Sequence, residues 1–138
     1  MKNKKRISFI AFGLLWMLLF STAVSAALPP TVEPQWANIN TVACGIIVTK
    51  EGATATGSIV GVTGSYVEAT ATLYKLKNGL TTVEYFASTP ENNPLPFASF
   101  TYEFTPQSGA SYYFVMEGVV SKDGVEEVIE RSDSKFFP

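Results

Sequence analysis

Side chains able to do chemistry are few. The chain has no histidine, so it lacks the group most often used for proton transfer near neutral pH and the commonest imidazole metal ligand. Its one cysteine, Cys44, can neither close a disulfide within the chain nor build a multi-cysteine metal site. Cys44 lies in Val42-Ala43-Cys44-Gly45-Ile46, where a buried thiol acts as a small apolar group with no imidazole to take its proton. Glu126, Glu127, Glu130 and Asp133 form the densest acidic cluster, but without the spacing of a calcium loop. They read as a solvated edge strand whose charges oppose aggregation. Ser132, Ser134 and Lys135 bring serine beside lysine without a Ser-x-x-Lys or Gly-x-Ser-x-Gly context. The expectation is a protein that is not an enzyme, with no catalytic residue, metal ligand or cofactor.

The aromatic residues carry more. Trp36, Tyr74, Tyr85, Phe86 and Tyr113 exceed what one small core requires, and exposed rings stack on sugars or anchor protein partners. The competing reading is structural: Trp36 covers one end of the fold, and the others pair across strands of a sheet. The case for partner contact rests on the clustering of these rings rather than on any one of them.

Ahead of them runs a targeting segment, residues 1–26. Lys2, Lys4, Lys5 and Arg6 make a basic start, Ile7 to Phe20 is apolar, and Ser21 to Ala27 is built of small residues. Val24-Ser25-Ala26 fits a small-x-small site, which places cleavage between Ala26 and Ala27. The alternative is an uncleaved membrane anchor, since the apolar run is about 20 residues long. Cleavage leaves six of the 10 basic residues against 12 acidic ones, a net charge of −6. Lys50, Lys75, Lys77, Lys122, Arg131 and Lys135 are scattered, which argues against nucleic acid and, once the segment is removed, against a membrane surface. A secreted, extracellular product follows.

Residues 27–35 hold Pro29, Pro30 and Pro34 and read as an extended linker, leaving 36–138 as one domain. Ile39 to Val48 and Ala53 to Val62 are β-branched or small around Lys50-Glu51-Gly52, which predicts a hairpin. Val67, Ala69, Ala71 and Leu73 share one face at period two. Asn78-Gly79 is a hairpin turn leading to a strand over Thr81 to Phe86. Pro90, Pro94 and Pro96 make Ser88 to Pro96 an irregular crossing at which the chain changes sheet. Ala98, Phe100, Tyr102 and Phe104 alternate with polar residues, as do Tyr112, Phe114 and Met116 with Tyr113, Val115 and Glu117. Phe100, Phe104, Tyr112 and Phe114 are thereby expected to face one another in the core. Asp123-Gly124 turns the chain into a last strand, Val125 to Ser132, expected at a solvent-facing edge.

About seven strands with frequent turns and no long amphipathic helix predict an all-β fold, a single immunoglobulin-like antiparallel β-sandwich, with a small closed β-barrel as the alternative. Phe104-x-Pro106 followed by Gly109-x-x-Tyr112-x-Phe114 resembles the loop and strand of fibronectin type III sandwiches, in which a tyrosine hydroxyl bonds back to the upstream backbone. Gln35-Trp36-x-x-Ile39, Gly52-Ala53-Thr54-Ala55-Thr56-Gly57, Leu73 and the Gly109-x-x-Tyr112 strand resemble a family of small secreted proteins, a domain of unknown function, from Gram-positive Clostridia-type bacteria. That resemblance implies fold and location and carries no catalytic residue; Cys44 lies outside its pattern.

The functional expectation is therefore a secreted, non-catalytic module that recognises a protein, glycan or cell-wall component. A secreted effector or inhibitor, toxin-like or antagonistic, is the alternative. A hydrolase is the third, and no convergent polar group in the sequence favours it.

Overall fold

A computed structural model describes residues 36–138; the expected targeting segment, its cleavage site at Ala26 and Ala27, and the linker lie outside the described residues. Seven strands follow in order: β1 (Ile39–Val48), β2 (Ala53–Gly61), β3 (Tyr66–Lys77), β4 (Leu80–Ser88), β5 (Phe97–Phe104), β6 (Ala110–Lys122) and β7 (Val125–Phe137). They form two antiparallel sheets, β1-β2-β5 and β4-β3-β6-β7, so the fold is a β-sandwich and not a closed barrel. The first, second and fifth strands share one sheet and the third, sixth and seventh the other, as in immunoglobulin-like domains, with the fourth strand beside the third.

Local chemistry explains the hairpins. Asn78 and Gly79 both adopt positive φ, 52° and 74°, as do Asp123 and Gly124 at 51° and 78°. Two-residue turns of this hand match the twist of the strands they join. The crossing between sheets begins after Ser88, as expected, and a side chain with no sequence pattern to announce it holds it in place. Asn93 is buried, and its Nδ2 donates to the Val67 carbonyl at 2.9 Å and the Phe97 carbonyl at 3.3 Å.

The two sheets approach closely because one supplies small residues where the other supplies large ones. Ala53, Ala55, Gly57 and Ile59 of β2 face Tyr112, Phe114, Met116 and Val120 of β6, with Val67, Ala69, Ala71 and Leu73 of β3 beside them. Phe100, Tyr112 and Phe114 are buried as the sequence implies. Phe104 is only half-buried, because it lies at the end of the sandwich, against the Tyr112 ring at 4.7 Å.

The expected tyrosine contact is present: the Gln107 N–H donates to the Tyr112 hydroxyl oxygen at 3.0 Å. Tyr112→Phe removes that acceptor and is expected to lower stability by about 1–3 kcal/mol, read from urea unfolding. A cost indistinguishable from zero would show that water satisfies Gln107 equally well.

The flanks of the sandwich are closed by different chemistry. Between β4 and β5 the rings of Tyr85 and Tyr102 stack at 4.6 Å and 14°, continuing through Phe104 and Tyr112 to Phe137. Between β1 and β7 the closure is made by carboxylates. Glu127 accepts from the N–H groups of Ala37 and Asn38 at 2.8 and 2.9 Å, and Asp133 Oδ2 accepts from Ile46 N–H at 2.8 Å. β7 is an edge strand, as expected, but it runs on to Phe137, and three of its four acids, Glu127, Glu130 and Asp133, are partly buried rather than solvated edge charges. Glu127 and Asp133 turn toward β1 and the two residues ahead of it because these N–H groups have no strand partner on that side.

Candidate functional site

The outward face of the four-stranded sheet collects three of the five candidate aromatics. Residues paired in register point to the same face, so Tyr74 of β3 lies directly opposite Tyr113 of β6 and, on its other side, Val83 of β4. The next row places Phe86 of β4, Thr72 of β3 and Val115 of β6 side by side. Phe86 is 63% exposed and Val83 60%, while Tyr74 and Tyr113 are half-buried. Ser134 and Ser132 of β7 continue the two rows. The result is an aromatic and aliphatic platform with the Thr72 hydroxyl inside it and the hydroxyls of Ser132 and Ser134 at its margin.

The two remaining candidates lie elsewhere. Tyr85 points inward to stack on Tyr102 and belongs to the flank closure, not to an exposed cluster. Adjacent residues of a strand face opposite sides, so Tyr85 and Phe86 cannot both be outward. Trp36 packs against the core beside β7, with the Arg131 guanidinium carbon 5.1 Å above its ring. That is the structural role already open to Trp36 in the sequence, reinforced by a cation over an aromatic face.

One row further along, the platform changes character. Glu117 of β6 and Glu130 of β7 stand directly opposite each other on the outward face. Burial, then the charge of Glu130, raises the pKa of Glu117; burial raises that of Glu130. Glu130 Oε1 is out of solvent contact and accepts no hydrogen bond among the described residues. Tyr74 is likewise held above its ordinary value, chiefly by burial, with a hydrogen bond to Thr72 acting against it and the Glu117 charge adding to it.

Raised carboxyl values mean that the folded chain holds these protons more tightly than the unfolded one. Their contribution to stability is full below the ordinary glutamate value of about 4.3 and is lost as pH rises through the raised values. Glu130→Gln removes the like-charge pair. It is expected to stabilise the protein near neutral pH by about 0.5 kcal/mol and to leave it unchanged near pH 4, roughly where both groups are protonated. Unfolding measured across that range checks it; an equal effect at both ends would place the cause outside the titration.

Cys44 is a half-buried free thiol. Burial, with the charge of Asp133 adding, pushes its thiol up to about 11, and its Sγ lies 3.7 Å from the Arg131 carbonyl oxygen. Among the described residues no three metal-ligating side chains converge. Sequence reasoning missed Val83 as a member of the outward face, and it did not pair Glu117 with Glu130. Alternation along β6 does put Tyr113, Val115 and Glu117 on one side, but the residues flanking them come from strand register. Compared with protein-family models, curated proteins and solved structures, the chain matches none.

Proposed function

We propose that the chain is an exported, non-catalytic recognition module that engages its partner through the outward face of the four-stranded sheet. One observation carries the reading: Tyr74 and Tyr113 are directly opposed there, with Val83 and Phe86 continuing the platform and none of these four in the buried core. Natural sandwiches alternate apolar-in and polar-out, so a run of rings on the outer side is surface that packing does not demand. The basic, apolar and small-residue order of residues 1–26 supports export, as does the resemblance to small secreted proteins of Gram-positive bacteria.

Two measurements test it. Mass spectrometry of the culture supernatant is expected to find a chain starting at Ala27; recovery of only full-length, membrane-bound protein would overturn export. The immobilised mature chain is then offered host-cell, peptidoglycan and culture-supernatant fractions beside its Tyr74→Ser/Tyr113→Ser variant. The expected result is a species retained by the parent and lost from a variant that still unfolds cooperatively. Equal retention by both would remove this face from the function.

A further inference from the structure

The partner's chemistry can be read from the charge of the same face, an inference that rests on the recognition reading above. Along the outward positions of β3, β4, β6 and β7, Glu68, Glu117, Glu126 and Glu130 are acidic and no position is lysine or arginine. The five basic residues of this sheet, Lys75, Lys77, Lys122, Arg131 and Lys135, all fall on the opposite row. Lys75 is engaged by Glu84 at 2.7 Å and Arg131 by the Trp36 ring, so neither is left to neutralise the outward carboxylates.

We infer that this face binds an extended, cationic polypeptide segment, with an apolar or aromatic residue on Tyr74–Tyr113 and a lysine or arginine on Glu117–Glu130. From Tyr113 to Glu117 is four residues of one strand, about 13 Å at the usual rise of about 3.3 Å per residue. An extended peptide lying along the sheet covers that distance with residues four apart. Lysine and arginine suit the intervening surface because their aliphatic stems lie along apolar residues such as Val115 while the head reaches the carboxylates. Like charges directly opposite one another on adjacent strands are destabilising, so a cation placed between Glu117 and Glu130 relieves a repulsion that the free protein carries. Tyrosine faces attract a second cation nearby. A neutral glycan gains the stacking but none of the charge terms, and an anionic lipid surface is repelled.

The test uses the mature chain and a fluorescent nonapeptide repeating Lys-Ser-Trp, with a Glu-Ser-Trp nonapeptide and chitohexaose as comparison ligands. The basic peptide is expected to bind at least about tenfold more tightly than the acidic one, and to weaken when salt rises from about 0.1 M to about 1 M. Glu117→Gln/Glu130→Gln, which relieves repulsion and therefore folds, is expected to weaken it roughly tenfold. Basic-peptide binding unchanged in that variant overturns the inference, as does salt-independent binding of chitohexaose that the variant retains. If Tyr74→Ser/Tyr113→Ser abolishes capture while Glu117→Gln/Glu130→Gln does not, the cationic partner falls and the recognition face stands. If neither variant alters capture, both fall.

Discussion

Phe114→Ala is expected to lower the free energy of unfolding by about 3–5 kcal/mol, a large part of what a domain of this size possesses. The Phe114 ring is fully buried and fills the space left by Gly57 on the facing sheet; a Cβ built on Gly57 would stand 3.1 Å from Phe114 Cε1. The glycine and alanines opposite contribute no side chain that could close the cavity. Phe104→Ala should cost roughly half as much, since Phe104 keeps part of its ring in solvent at the sandwich end. Val128→Ala, at a position 70% exposed, should stay within about 0.5 kcal/mol. Urea midpoints with unchanged slopes decide the matter, and equal values for Phe114→Ala and Val128→Ala would mean that the two faces of the sheet are interchanged.

Gly118→Ala probes the same close approach from the opposite side. A Cβ there would meet Ile59 Cδ1 at 2.6 Å, Ala69 Cβ at 3.2 Å and the Glu68 carbonyl oxygen at 3.2 Å. Ile59 is fully buried, so its terminal methyl has no free volume to enter, and overpacking should cost about 1–3 kcal/mol. Ile59→Val deletes that methyl and alone should cost about 0.5–1.5 kcal/mol. Combined, the two changes should cost less than their sum by about 1 kcal/mol, because each removes the reason the other is harmful. Strict additivity in a double-mutant cycle would show that Gly118 is required for backbone reasons instead.

What the sequence made legible is what short-range physics controls. Val67, Ala69, Ala71 and Leu73 announce one buried face by spacing alone, and Asn78-Gly79 and Asp123-Gly124 announce their turns because few residue pairs tolerate two positive φ angles. The Tyr112 hydroxyl contact was expected from the resemblance of this loop and strand to fibronectin type III sandwiches, and its donor and acceptor lie only five positions apart. The roles of Glu127 and Asp133 were not. Glu127 acts on the residues just ahead of β1 and Asp133 on β1 itself, about 90 positions away in the chain, and nothing local distinguishes them from solvated acids. The recognition face was half legible. Tyr74, Phe86 and Tyr113 were picked out by type, but which rings share a surface depends on register. On β4 that register is shifted by the irregularity between the positions facing Leu73 and Tyr74, which skips Glu84.

The seam between β1 and β7 also governs how the domain bears tension. Glu127 reaches residues 37 and 38, Arg131 reaches Cys44, and Asp133 reaches Ile46, so positions on both strands rise together and the strands run parallel. The chain enters this seam at one end and leaves it, past Phe137, at the other. A pull between the two ends therefore shears the seam, loading its contacts simultaneously, whereas a hairpin such as β3–β4 would peel open one bond at a time. The acid-to-amide bridges of the seam are then among the first contacts to bear the load.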